Sequence, residues 1–380
     1  MRIAQFIRAL YLGGTEVQLA ELLRGLGSRH ELKLGMLLAE GPLLPKVRAL
    51  GLEPSLFPMG AVARPNTAVQ ILRVADWLRR ERVDVVHVHD FSSTLIAAPA
   101  ALLSGTRLVV SRLDLAHYHS RAQRAVLSAL TRAADLVVGN AEAIRKMLID
   151  EERVDPARVV VIHNGLDLPA FDARAERPLE APLPVSPGAP VLVHVANMNH
   201  EVKRQEDLFE ALALLGPASG LQTLLVGDGP RRPMLEAMCD KLGLRDRVFF
   251  LGHRTDVPAI YRRATAGVLC STAEGLSNAV MEGMASALPM VVTDVGGNPD
   301  LVAHLERGLV VPPRQPRALA QALRTVLGDP AAAAKMGKRA REFVESELTL
   351  ERMVKAHEAA YIAAASRAAA PPRVAMPSTA

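Results

Sequence analysis

Residues 271–285 carry the clearest chemical signature in the chain: Ser-Thr-Ala-Glu-Gly-Leu-Ser-Asn-Ala-Val-Met-Glu-Gly-Met-Ala. The apolar stretch 266–270 before them reads as a strand, which puts Glu274 in the loop at its carboxyl end. Gly275 permits a tight turn, Ser277 or Asn278 can cap, and the Ala/Val/Met run then continues as a helix. The backbone N–H groups of Gly275, Leu276, Ser277 and Asn278, at the start of that helix, make an anion site suited to a diphosphate. Glu282 lies one or two turns further on, where a carboxylate can accept hydrogen bonds from sugar hydroxyls. The bare spacing of the two acids also describes a solvated helix start with two surface glutamates, so the surroundings must decide.

Two other places hold candidate chemistry. Gly13 and Gly14 follow a strand over 3–7 and precede a helix, so their backbone can approach a phosphate or an acceptor; a plain tight turn is the alternative. His87 and His89 share one face of a strand because side chains alternate. That spacing suits a metal pair, but no third or fourth ligand is evident, and the preferred reading sets His89 and Asp90 at the strand's carboxyl end, on the acceptor side. No metal site is assigned. Both G-x-G-x-x-G with a later ribose-binding acid and a Walker loop are missing, which argues against nicotinamide and P-loop enzymes.

These residues need a scaffold, and the hydropathy pattern describes one. Short β-branched runs at 3–7, 32–37, 83–89, 107–111, 136–140 and 159–163 alternate with amphipathic segments such as 13–27, 69–81 and 122–133. The alternation restarts at 191–196 and continues through 221–226, 248–251, 266–270, 290–293 and 308–311. Such a pattern predicts α/β architecture: two doubly wound Rossmann-like domains with parallel sheets, whose ligands bind at the carboxyl ends of strands across a cleft. The expected boundaries are an N-terminal domain over 1–168, a linker over 169–190 whose prolines interrupt any helix, and a C-terminal domain over 191–350. A helix over 351–369 can pack back on the N-terminal domain, and 370–380 reads as a frayed tail.

Composition narrows the function. The 380 residues suit two or three domains, and 49% apolar with 22% charged residues is globular rather than disordered. Aromatic residues make up only 3%, which leaves few stacking platforms for nucleic acid, and none is expected as a partner. A formal charge of +5 allows an anionic ligand or membrane surface without requiring either. Cys239 and Cys270 are too few for a disulfide framework, and neither a signal peptide nor a continuous membrane span is evident; a reducing, cytoplasmic setting is expected. Arg73, Arg79, Arg80 and Arg82 surround Trp77 on one predicted helix. They suit docking at an anionic bilayer, although a solvated basic helix end with an inward tryptophan is preferred.

Taken in order, the motifs resemble the retaining nucleotide-sugar glycosyltransferases of family 4, which have two Rossmann-like domains in the GT-B arrangement. The series runs through Gly13-Gly14-Thr15-Glu16, Asp84-Val85-Val86-His87-Val88-His89, Asp135 and Asn164-Gly165-Leu166-Asp167. It continues with Lys203, Val226-Gly227-Asp228-Gly229-Pro230, Leu251-Gly252, Glu274-Gly275 with Glu282, and Gly296-Gly297. The resemblance implies that Glu274 approaches the donor sugar, Glu282 holds the nucleotide ribose, and Lys203 neutralises the diphosphate leaving group. Asp228 sits in a turn whose role reads as structural.

Two departures stand out. Ala196-Asn197-Met198 occupies the place where the family commonly has Gly-Arg-Leu, so either Arg204 supplies the second phosphate cation or Lys203 and backbone amides suffice; Asn197 can offer only a hydrogen bond. Where many relatives have a histidine after the next strand, this chain reads Ser111-Arg112-Leu113-Asp114, with His117 and His119 several residues later. The resemblance implies transfer of a sugar, with retention, to a hydroxyl of a glycan or lipid-linked acceptor, in polysaccharide or envelope-glycan assembly, with no cofactor beyond the donor. A sugar-nucleotide epimerase, a phosphorylase and a non-catalytic sugar-nucleotide-binding subunit are the alternatives on the same fold.

Overall fold

The structure is a computed structural model that describes residues 1–59, 66–115 and 119–366. His117 and the tail over 370–380 lie outside the described residues. The chain divides into two compact units, Met1–Gly165 joined by the chain from Leu350, and Leu166–Thr349.

Among the described residues the first unit holds a seven-stranded sheet: β1 (Arg2–Ile7), β2 (Glu31–Met36), β3 (Ser55–Leu56), β4 (Val85–Val88), β5 (Arg107–Arg112), β6 (Leu136–Gly139) and β7 (Val159–Val161). Their spatial order is β3-β2-β1-β4-β5-β6-β7, with every pair parallel. Helices cover the sheet, which is why β4, Val-Val-His-Val, is buried along its whole length instead of alternating. Ile3, Ile7, Leu23, Leu34, Val85, Val109 and Tyr361 belong to one core, so the last helix, Leu350–Ser366, completes the first unit.

The second unit repeats the plan with β8 (Val191–Val195), β9 (Gln222–Val226), β10 (Val248–Gly252), β11 (Ala266–Leu269), β12 (Met290–Thr293) and β13 (Gly308–Val311). The order is β10-β9-β8-β11-β12-β13, again parallel. Leu192, Leu208, Leu212, Leu225, Val268, Val291 and Leu323 lie in its core. Both sheets are therefore the doubly wound α/β arrangement that the alternation predicts.

One local expectation fails. Leu168–Ala175, at the start of the proline-rich stretch, is a helix and not irregular chain. Its Pro169 occupies the first turn, where the missing N–H costs nothing, and Asp167 accepts from the Ala170 N–H at 3.1 Å. Helix Phe91–Ser104 runs through Pro99 and is capped by Asp90 and Gly105. No helix among the described residues is long and apolar enough to cross a membrane.

Candidate active site

In each sheet the strand order reverses once, between β1 and β4 in the first unit and between β8 and β11 in the second. Loops leaving adjacent strands part company there and open a crevice at the carboxyl ends. In the second unit, the loop after β8 carries a short turn, Glu201–Lys203, and the loop after β11 carries Cys270 to Ser277. Two hydrogen bonds tie these loops together: Thr272 N–H to Val202 O at 2.8 Å and the Cys270 thiol to Arg204 O at 3.0 Å. The tie brings Lys203 and Glu274, 71 residues apart in the chain, into an ion pair with Nζ 2.6 Å from Oε1. Their side chains are 23% and 10% exposed, so the pair is half-buried yet reachable.

Beyond Glu274 the chain enters helix Asn278–Ala285, capped by Ser277, whose hydroxyl accepts from the Val280 N–H at 3.4 Å. The helix is pinned from behind by Tyr261, which donates to Ala279 O at 2.9 Å. Glu282 follows on the helix, part-buried and with no hydrogen-bond partner for its carboxylate among the described residues. Removal from water raises its carboxyl to about 7, against an opposing pull from Arg174.

The turn that bears Glu274 is braced by a second glycine pair. Gly297 N–H donates to Gly275 O at 2.7 Å, and Gly296 adopts φ +54°, where a Cβ would stand 2.0 Å from Glu274 O. Only glycine gives both that backbone and that closeness. The Thr293 hydroxyl donates to Ser271 O at 2.6 Å from the same direction. Gly296, Thr293 and Tyr261 are supports that the sequence reading did not single out as site residues. The Gly-Gly pair was visible, but its contact was not.

In the first unit the crevice is a cavity of about 330 Å³ lined by Arg8, Glu16, His89, Asp90, Ser111 and His119, among others. Gly13 caps helix Gly14–Leu26, and a Cβ on it would meet the Glu16 carboxylate at 2.2 Å. The Gly13-Gly14 turn therefore makes room for Glu16 to fold back over the helix start. His89 is buried, packs against the His87 ring at 4.1 Å between ring centres with the planes tilted by 46°, and is lowered to about 3 by burial and by His357. Burial raises the carboxyls of Glu16 and Asp90. Among the described residues, no group of three or more His, Cys, Asp or Glu side chains is arranged to hold a metal.

Comparison with known proteins fits this geometry. The profile described as Glycosyltransferase Family 4 matches residues 12–169, and that of Glycosyl transferases group 1 matches 189–329. Glycogen synthase of Mycobacterium tuberculosis is 30% identical over 301 residues, 75% of this chain and 70% of that one. The chain belongs to glycosyltransferase family 4. N-acetyl-alpha-D-glucosaminyl L-malate synthase of Bacillus anthracis is 27% identical over 76% of this chain and 77% of its own. Among solved structures, Anabaena HepE in complex with UDP and glucose superposes with a TM-score of 0.81 at 21% identity, over 93% of this chain and 97% of that one. The fold is GT-B.

Within this family 4 glycosyltransferase, the expected site residues separate into two groups. Lys203, Glu274, Gly275, Leu276, Ser277, Asn278 and Glu282 are gathered on the loops and helix beside β11; Gly13, Gly14 and His89 belong to the first unit. Asn197 is exposed just after β8, and its side chain accepts from the Asn199 N–H at 3.3 Å. Arg204, the candidate second cation, is held by Asp207 through Nη2 at 2.6 Å and Nε at 3.1 Å. Its charge is matched locally before any ligand arrives. Asp228 holds its own turn, accepting from the Gly229 N–H at 2.8 Å and pairing with Arg232 at 3.0 Å. Trp77 packs inward against Phe57 and Phe6, which leaves it no part in membrane docking.

Proposed function

We propose that this glycosyltransferase moves a sugar, with retention at the anomeric carbon, from a nucleoside diphosphate donor to a hydroxyl of a glycan or lipid-linked acceptor. Polysaccharide or envelope-glycan assembly is the setting that suits such an acceptor. The observation that carries the reading is the Lys203–Glu274 pair, 2.6 Å apart at the strand-order reversal and directly before a capped helix.

Loss of a nucleoside diphosphate develops negative charge on a phosphate oxygen. An ammonium beside the site and helix-start amides stabilise that charge, the amides without having to reorganise. Lys203 turns from Glu274 to the diphosphate, and Gly275, Leu276, Ser277 and Asn278 offer backbone N–H groups. Glu274, released, accepts hydrogen bonds from sugar hydroxyls and stabilises the positive charge that builds on the ring. Glu282 takes the ribose hydroxyls, and Asn197 adds a neutral donor. The acceptor oxygen bonds to the anomeric carbon on the face from which the diphosphate leaves; the carbon–oxygen bond to phosphate breaks, and the acceptor proton passes to the departing phosphate oxygen. His89 meets the acceptor beside its reacting hydroxyl. No resident cofactor is required, since Lys203 and the amides carry the cationic work.

HepE has been solved with UDP and glucose and also with UDP-glucose, which supports a nucleotide sugar as donor and makes uridine the first base to try. A thermal-shift screen of UDP, GDP and ADP, free and as glucose conjugates, tests the reading, because a ligand of the folded state raises the melting temperature. One base is expected to stabilise the wild-type chain and to lose most of that effect in Lys203→Met. No shift with any nucleotide overturns it.

A further inference from the structure

His89 follows β4 at its carboxyl end with only 7% of its surface exposed. One ring nitrogen is engaged and the other is open: Nε2 lies 2.6 Å from Gln5 Oε1, while Nδ1 has no partner among the described residues, and the ring lines the cavity. A neutral imidazole carries one proton, so the bond at Nε2 decides what Nδ1 offers. If Nε2 donates, Nδ1 shows the cavity a lone pair; if Nε2 accepts, Nδ1 shows an N–H.

Gln5 does not decide alone. Its amide nitrogen donates to the Tyr361 hydroxyl at 3.0 Å, which turns Oε1 toward His89 as an acceptor. The Tyr361 hydroxyl, having accepted that hydrogen bond, donates its O–H to His87 Nδ1 at 2.8 Å, and His87 Nε2–H donates to Ser111 Oγ at 2.8 Å. Gln5, His87 and Tyr361 are fully buried, so water does not stand in for a missing partner and the chain of donors must run in one sense. The reverse sense would need the Gln5 amide turned over, with its nitrogen in place of Oε1; the 2.6 Å contact would then be N–H···N, ordinarily a longer bond than the N–H···O of the forward sense.

We infer that Gln5, Tyr361 and His87 are positioning residues that hold His89 as its Nε2–H tautomer, so that Nδ1 accepts a hydrogen bond inside the cavity. Nothing in a reading of His89 as the end of a strand calls for these partners, two of which lie on other elements. Tyr361 comes from the last helix, 356 residues from Gln5. The consequence for turnover, though not the tautomer itself, rests on the proposed role of His89 at the acceptor. A lone pair there takes the O–H of a non-reacting hydroxyl of the acceptor and so orients the acceptor, leaving the reacting O–H to the phosphate oxygen. His89 stays neutral in this environment, where the neighbouring titratable groups are His87, His357, Tyr361, Glu16 and Asp90. Orientation, not proton transfer, is its task.

Ring-nitrogen NMR of the full chain labelled with ¹⁵N-histidine tests the assignment. Wild-type His89 should show a protonated Nε2 and a bare Nδ1. Tyr361→Phe keeps the ring's volume but removes the relay, so the Gln5 amide can turn over; a mixture of tautomers is expected, with kcat down about tenfold and donor KM unchanged. Gln5→Leu should lose the preference as well. Gln5→Glu should retain it, because a carboxylate accepts from either neighbour. A protonated Nδ1 in the wild type, or an unchanged tautomer in Tyr361→Phe, overturns the inference. The predicted tautomer shift without any change in kcat leaves the inference standing and removes His89 from the proposed acceptor role.

Discussion

The carboxyl ends of β1 and β4 and those of β8 and β11 occupy equivalent places in two copies of one topology, yet their chemistry differs. At the second, a cation and a carboxylate meet at 2.6 Å with a capped helix start beside them. At the first, Gln5, His87, His89, Tyr361 and Ser111 form a neutral array bonded to one another, Arg112 in the lining is matched by Glu152 at 2.6 Å, and the nearby carboxyls of Glu16 and Asp90 are raised by burial with no ion-pair partner among the described residues. Strand order dictates where a ligand can sit. The residues that leave the strands dictate which: fixed charge suits a diphosphate, whereas a neutral array of acceptors suits hydroxyls. A mutation that erases this contrast should be more damaging than one that perturbs either crevice at its rim.

The largest effect is expected from breaking the ion pair. Lys203→Met removes the charge opposite the departing diphosphate, and Glu274→Gln removes the charge opposite the sugar; loss of one preorganised electrostatic group lowers kcat by roughly 10²–10³. Steady-state rates with a matched donor and acceptor measure this. Full turnover in Glu274→Gln would leave Glu274 no electrostatic part. Lys203→Met should also melt earlier than Glu274→Gln, because it strands a carboxylate that is only 10% exposed.

Glu282 gives the next largest effect, and it depends on pH. Its folded value, about 7, lies above the ordinary 4.5, so the unfolded chain releases the proton first and stability falls as pH rises from about 4.5 to 7. Full expression of that gap is worth about 3 kcal/mol at most. Glu282→Gln should therefore match the wild type near pH 4 and be more stable above pH 7 in urea titrations. If the carboxylate accepts from ribose hydroxyls, nucleotide affinity should increase through pH 7 in the wild type and stay flatter in Glu282→Gln. Identical pH profiles for the two proteins would mean that Glu282 is already ionised and solvated.

Much of this contrast was visible in the sequence, and what was not has physical causes. Strands buried on both faces read as Val/Ile/Leu runs, so most were found within a residue or two at their ends. Helix Phe91–Ser104 is not marked in the sequence, because it is apolar nearly all round and lacks the stripe of a surface helix. Helix Leu168–Ala175 was missed because proline was read as a breaker where it is a starter. In the site, residue types and caps were legible, but partners were not. Lys203 and Glu274 are 71 residues apart, and His87 and Tyr361 are 274 apart, so only the fold brings either pair together. The Arg204–Asp207 pair is the exception, since a separation of three on one helix start could have been read directly.

A smaller effect, about 1–3 kcal/mol, is expected from Gly296→Ala, since a side chain there must take a left-handed backbone and press on Glu274 O. The damage should concentrate in kcat, because the turn displaced is the one that bears Glu274. Thermal melts and rates together decide whether the loop yields without moving the carboxylate.

The smallest effect concerns the outer face of the first unit. Helices Asn66–Arg80 and Phe91–Ser104 pack side by side, with Val69, Leu72, Leu102 and Leu103 exposed and Arg73 and Arg80 beside them on the first. With Trp77 turned inward, these aliphatic groups and arginines are what remains to support contact with an anionic bilayer, as a lipid-linked acceptor would require. Each arginine near such a surface contributes about 1 kcal/mol, an effect that salt screens. Arg73→Gln with Arg80→Gln should weaken sedimentation with vesicles of anionic phospholipid by one to two orders of magnitude, and should leave turnover of a water-soluble acceptor unchanged. If the wild-type chain does not sediment with anionic vesicles at low salt, the arginines are a solvated face, and the distinction between the two units lies in their crevices alone.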